Sequence, residues 1–290
     1  MKRMILALSL ACCGAVLAQE EPQVTWKRTE PPAPPSFRLF HSDMAFNIPT
    51  SSTIRKKEMQ FEIGHRFSDP ISAKQSSFYG LDSHVLMRLG MGYGVTDRFT
   101  ITAARSNAFG NVDLRGKYRF LEGKGAVPVG LAVQAGAGWN STYEPPEEQH
   151  GSLKEDQMQY YGTLIFNTMF GRHVAFGLAP SYLRNSDLFH PDTRNTTALG
   201  TYLQIYLGHK FSVLAEYTHK VSGFSRGHDP VALGVEMETF GHFFKIFITN
   251  SVYLNPSSYL AGADAAWHHH EWRLAFIITR LLRLGGDDKD

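Results

Sequence analysis

Two short runs in this 290-residue sequence bring reactive residue types close together: His268-His269-His270, with Asp264 and Glu271 nearby, and His150-Gly151-Ser152. Imidazole is a good ligand for transition metals, so the first run is the best metal candidate in the chain. Three consecutive residues on a strand cannot all face one ion, because alternate side chains point opposite ways. A solvated loop mouth with incidental metal affinity accounts for the run more simply. The second run sets a base two residues from a nucleophile, but it lies among Glu147, Glu148 and Lys154 in a polar stretch. A nucleophile needs its base fixed by a third group, which such a stretch does not offer, so no catalytic residue is assigned. His65, His84 and His242 fall at strand ends and supply hydrogen bonds there. The chain has no CxxCH, no Gly-rich phosphate loop and no acidic calcium loop, and no cofactor is expected.

A third constellation is spread along the sequence. Arg88, Arg98, Arg115, Lys117 and Arg119 form a basic set, and Glu216, Glu236 and Glu238 an acidic one. Their chemistry depends on the elements that carry them. From Glu58 onward, apolar and polar residues alternate with period two in twelve segments. These run roughly 58–68, 83–93, 98–106, 112–121, 129–140, 158–170, 174–184, 196–208, 211–221, 231–239, 242–251 and 270–280. Most are about ten residues long, enough for a tilted strand to cross a bilayer. The connections alternate between short turns, such as Gly94 to Asp97 and Gly171 to His173, and long polar loops, such as Thr142 to Gln157 and Val252 to His269. That alternation predicts an all-β fold: an antiparallel up-and-down barrel with its long loops at one end.

A soluble barrel would show the same period with its apolar face inward. Aromatic placement separates the two cases. Tyr93, Phe99, Phe120, Phe170 and Phe211 fall at the short-turn ends, and Phe67, Trp139, Tyr182, Tyr217 and Trp272 at the long-loop ends. Two girdles around a band of Val, Leu, Met and Ala match the two membrane interfaces. The opposite face is small or charged, with Gly130, Ala132, Gln134, Gly136 and Gly138 on one segment and Asp113, Arg115, Lys117 and Arg119 on another, and it lines a lumen if the apolar face meets lipid.

The remaining segments set the context. Lys2 and Arg3, the apolar stretch from Met4 to Leu17, and Val16-Leu17-Ala18 read as an export signal over residues 1–18. Cys12 and Cys13 lie within it, so the mature chain would have no thiol; Leu10-Ala11-Cys12-Cys13 only loosely matches a lipoprotein cleavage box. Residues 19–57 are taken as a periplasmic lead, with four prolines in the seven residues Glu30 to Ser36 making an extended tether. The barrel spans 58–282 and a polar tail 283–290. A net charge of +2 with no concentrated basic region argues against a nucleic-acid partner.

The stretches HRFSDP (65–70), GLDSHVLMRLGMGYGVTDRFTITAARS (80–106), AEYTHKVSG (215–223) and GVEMETFGHFFKIFITNS (234–251) resemble a family of bacterial outer-membrane β-barrel proteins of unknown function. The resemblance covers most of residues 40–282 and implies a barrel in the outer membrane, in contact with lipid. It brings no activity and no catalytic residues. One departure from outer-membrane proteins generally is the tail, which runs past the last strand instead of ending on an aromatic residue.

In a twelve-stranded barrel the basic set sits across from the acidic one. Opposed charge across a narrow pore would orient a polar solute, and passage of small polar solutes is the leading functional expectation. At this strand number side chains can also nearly fill the lumen, so a plugged barrel serving as a scaffold or partner-binding protein is the alternative. A membrane-bound lipid-modifying enzyme is third, because twelve-stranded outer-membrane phospholipases carry a His and a Ser two apart.

Overall fold

The computed structural model describes residues 39–123, 127–142, 155–188, 195–239 and 241–284. Twelve antiparallel strands close into one barrel, each paired with its sequence neighbours and β1 with β12. They are β1 (Glu58–Phe67), β2 (Val85–Thr96), β3 (Phe99–Ser106), β4 (Asn111–Glu122), β5 (Val129–Asn140) and β6 (Met158–Phe170). Then follow β7 (Val174–Arg184), β8 (Asn195–Tyr206), β9 (Phe211–Gly223), β10 (Val231–Thr239), β11 (His242–Thr249) and β12 (Arg273–Arg283). Among the described residues one short α-helix, α1 (Pro256–Leu260), lies in the β11–β12 loop.

The predicted segments match these strands closely, with two informative differences. β12 begins at Arg273 and runs to Arg283, three residues beyond the expected end, because Leu281, Leu282 and Arg283 pair with Gln60, Met59 and Glu58 to finish the closure. The first short turn is Asp97-Arg98, not Gly94 to Asp97: β2 continues through Thr96 over a bulge. The Thr96 hydroxyl accepts the N–H groups of Arg98 (3.2 Å) and Phe99 (3.0 Å), which closes the tighter turn. Gly94 serves another purpose. A Cβ there would overlap the Arg55 carbonyl, so the glycine lets the chain leading into β1 lie against β2.

The two faces are reversed relative to a water-soluble barrel. On β4, Leu114 is 57% exposed while its neighbours Asp113 and Arg115 are 0% and 4% exposed. Met91, Ile101, Leu164, Leu233 and Ile246 likewise face outward. Glu62, Arg88, Gln134, Gln204 and Lys245 are buried inside. The girdle aromatics Tyr93, Phe120, Phe170, Phe211, Tyr182 and Tyr217 are exposed, as an outer apolar surface bounded by amphipathic rings requires.

The expectation that wall side chains nearly fill a lumen of this strand number is corrected: other segments of the chain occupy it. The interior is filled from both ends by the chain itself. Residues 39–54 enter from the short-turn end, turn at mid-height and return to β1. His41 stacks against Tyr206 near that mouth, and on the returning limb the Thr53 hydroxyl donates to the Asp97 carbonyl (2.7 Å). This corrects the expected lead: of residues 19–57, the described part from Leu39 to Ile54 lies within the barrel instead of preceding it. Leu39, Phe40, Ala45, Phe46 and Ile48 join Ala175, Ala179, Ala232 and Ala275 of the wall in the main core cluster. An apolar segment flanked by small wall residues packs; it does not remain a solvated tether. From the long-loop end the β11–β12 loop folds inward and buries Pro256 to Tyr259. Residues 1–38, with the export signal and the proline run, lie outside the described residues, as does most of the tail.

Candidate functional site

The site is the lumen, and its centre is the tip of the 39–54 hairpin. The tip is closed by Ala45 N–H to the Ile48 carbonyl (2.8 Å) and Thr50 N–H to the Asp43 carbonyl (3.0 Å). That geometry points three successive N–H groups one way, at the carboxylate of Glu216 on β9. Glu216 accepts from Phe46 N–H (2.5 Å), Asn47 N–H (2.9 Å), Ile48 N–H (3.1 Å) and the Asn47 side-chain amide (3.0 Å). Consecutive backbone N–H groups around an anion form a concave nest, and here the anion belongs to the wall. Pro49 follows with no N–H to satisfy, and its carbonyl accepts from the Tyr202 hydroxyl (2.9 Å).

Two wall lysines hold the carbonyl side. Lys245 Nζ donates to the carbonyls of Met44 and Ala45, both at 2.5 Å, and pairs with Glu236 at 3.1 Å. Lys117 Nζ donates to the carbonyls of Asp43 (2.6 Å) and Thr50 (3.2 Å). Asn167 accepts from Ser51 N–H (2.6 Å), and the Thr100 hydroxyl from Ile54 N–H (3.0 Å). Aromatic contacts fix the tip sideways: Phe46 stacks on Phe247 with centroids 4.1 Å apart, and Arg66 lies over the same ring while donating to the Asn47 side-chain oxygen (2.7 Å). Gly92, Gly130 and Gly200 leave the space that Ile54, Leu39 and Ile48 occupy.

Most of the residues chosen from sequence face this lumen, but they do not set up a field across it. Arg88 pairs with Glu62, Arg115 with Asp113 (3.3 Å), and Lys117 serves the hairpin. Glu216 also serves the hairpin, Glu236 pairs with Lys245, and Glu238 with His41 (2.5 Å). Each of these groups has its polar partners close by, so they do not stand as two facing charged walls across an open pore. Arg119 sits partly exposed at the short-turn end, bonded to Glu122 (3.3 Å) and the Asp97 carbonyl (2.9 Å). Arg98 is a correction: it lies in the two-residue turn, exposed, because the strand begins one residue later at Phe99.

His268 and His269 belong to a 3₁₀ turn at the long-loop end, with His270 in the left-handed region after it, and all three are exposed. The His268 and His269 rings contact each other, with centroids 4.3 Å apart. Among the described residues no three His, Cys, Asp or Glu side chains gather as a group that could hold a metal ion. His150-Gly151-Ser152 lies outside the described residues.

The residues that sequence reasoning missed are the hairpin itself, Lys245, which holds its carbonyls, and Glu62, which pairs with Arg88. Their signal was present in the glycines of the inward face, since a wide lumen lined by Gly92, Gly130 and Gly200 needs something to fill it. At the other mouth, Asn255 donates to Asn111 (2.6 Å), and Arg226 lies over Tyr253 at 4.0 Å while donating to the Ser258 carbonyl (3.2 Å). Where hairpin tip, wall and α1 meet, Asn47, Gln134, Thr163 and Tyr259 line a cavity of about 20 Å³, room for one water.

An apolar exterior, a charged interior and a lumen occupied by the chain's own residues define a membrane β-barrel. The chain belongs to the family described as membrane bound beta barrel domain (DUF5777), which matches residues 40–282. No curated protein matches the sequence. Among solved structures, the NanC porin is similar at 10% identity and a TM-score of 0.46, over 77% of this chain and 98% of that one. The outer membrane protein Omp33 of Acinetobacter baumannii is similar at 12% identity and a TM-score of 0.39, over 79% and 100%. OmpT, an outer membrane protein of Vibrio cholerae, follows at 12% identity and a TM-score of 0.34, over 77% and 95%.

Proposed function

We propose that this protein is a barrel of the bacterial outer membrane, closed at rest by its own N-terminal hairpin, and that small polar solutes pass when the hairpin leaves the lumen. The observation that carries the reading is the way the hairpin is held. Among the described residues, the backbone-to-backbone bonds of residues 39–54 stay within the segment, and it forms no ladder with a wall strand. Glu216, Lys117, Lys245, Asn167 and Tyr202 hold it through side chains. Withdrawal toward the short-turn mouth would therefore leave the barrel sheet intact and expose a charged, wettable wall. Those buried charges could not stay dry and unpaired, so water and solute would take the hairpin's place.

A permanently closed scaffold is the second reading, favoured by the inward fold of the β11–β12 loop, which buries Pro256 to Tyr259 at the other end of the lumen. Conductance in planar bilayers separates the two. The wild-type chain should be silent or open only briefly, and Glu216→Gln should raise open time while keeping heat-modifiable gel mobility. A steadily conducting wild type would overturn the closed resting state. A silent Glu216→Gln variant that is folded would favour the scaffold.

A further inference from the structure

The wall recognises the hairpin chiefly as a peptide backbone. A carboxylate takes three consecutive N–H groups, two ammonium groups take four carbonyls, and Asn167, Thr100 and Tyr202 take one backbone group each. Every polypeptide offers those groups. Side chains are read as well: Asn47, held by Glu216 and Arg66; Asp43, which accepts from Gln60 (2.9 Å); Ser42, which accepts from Lys245 (3.0 Å); His41, paired with Glu238; and the rings of Phe46 and Phe40, packed on Phe247 and Tyr202.

We infer that the inner wall around Glu216, Lys117 and Lys245 is a peptide-binding site, now occupied by residues 39–54, which also accepts a separate polypeptide presenting the same turn at the short-turn mouth. Its ligand has three consecutive free N–H groups followed by a proline, a carboxamide side chain at the second of the three, and an aromatic ring at the first. The inference rests on the proposed mobility of the hairpin, since ligand and hairpin compete for one site. Two features make exchange feasible. Both limbs of the hairpin leave through the same mouth, so a second chain can follow the same path. A vacated wall also leaves buried charges whose best replacement partners are another set of backbone dipoles.

The test uses the full-length chain in detergent and a fluorescently labelled sixteen-residue peptide, LFHSDMAFNIPTSSTI, copied from residues 39–54. A Phe46→Ala/Asn47→Ala chain keeps the wall intact while weakening its own hairpin. Fluorescence anisotropy should show saturable peptide binding to this variant, at least about ten-fold weaker binding to wild type, and none for a scrambled peptide. An Asn47→Ala peptide should bind about ten-fold less tightly, the loss of charge-assisted hydrogen bonds, and a peptide variant cannot misfold the barrel. Should the double variant lose heat-modifiable mobility, the single Asn47→Ala chain, with Phe46 still stacked, replaces it. Equal binding to wild type and variant, or no binding to a folded variant, overturns the inference. A variant that conducts but binds no peptide leaves the channel reading standing alone. One that binds peptide and stays silent removes the channel reading and keeps the site.

Discussion

Glu216 and Asn47 are joined twice, through the backbone N–H at 2.9 Å and the side-chain amide at 3.0 Å, across 169 positions of sequence. A wall carboxylate and the tip of a returning chain thus form the central connection of the lumen. Removing the carboxylate in Glu216→Ala leaves three backbone N–H groups of the tip without their acceptor. The expected cost is about 2 kcal/mol or more in urea unfolding, with more frequent channel openings in the same preparation. An unchanged midpoint would show that water satisfies the tip equally well.

Lys245 has a different role, since it neutralises Glu236 as well as holding two carbonyls. Lys245→Met would strand a buried carboxylate, so it should destabilise by about 3–5 kcal/mol. Adding Glu236→Gln should recover a large part of that loss. A double-mutant cycle on unfolding midpoints measures the coupling, and additive effects would mean that the two residues do not act as a pair.

Gly94 tests the seat of the hairpin. Gly94→Val would drive a side chain into the Arg55 carbonyl and push the hairpin's returning limb off β2, at about 1–3 kcal/mol. Gly162→Ala is the control, because a Cβ there meets nothing within 4 Å. Heat-modifiable mobility measured against temperature should shift for the first substitution and stay put for the second.

Acid should loosen the long-loop end. Asp229, in the β9–β10 loop, accepts from Tyr217 Oη (2.8 Å), His219 Nδ1 (2.9 Å) and Lys220 N–H (3.1 Å). Partial burial would raise its pKa, but these bonds and the His219 charge outweigh it and hold the carboxyl below the usual 3.8. A depressed folded-state pKa gives stability that is complete above the unfolded value and lost as pH falls through the folded one. Backbone amide exchange in residues 224–230 should therefore rise below about pH 4. In Asp229→Asn that acid-dependent step should vanish; its persistence would assign the loosening to another group.

The barrel follows from local patterns in the sequence. Period two, strand lengths near ten and alternating connection lengths are local properties, and each strand's inward and outward faces follow from them without knowledge of any partner. Hence the twelve strands, the girdle aromatics and the inward placement of Arg88, Arg115, Lys117, Glu216 and Glu236 were legible. What those charges do depends on contacts between distant segments. Residues 39–54 carry no period, so nothing local marks them as an insert, and the partners that hold them lie far away along the chain at Lys117, Asn167, Glu216 and Lys245. Arg98 and Glu238 show the same limit. One residue of turn register put Arg98 in solvent, and Glu238 found His41, a residue read as part of an external lead. Whether a lumen is open or filled depends on which chain enters it, and that is fixed by packing between distant segments.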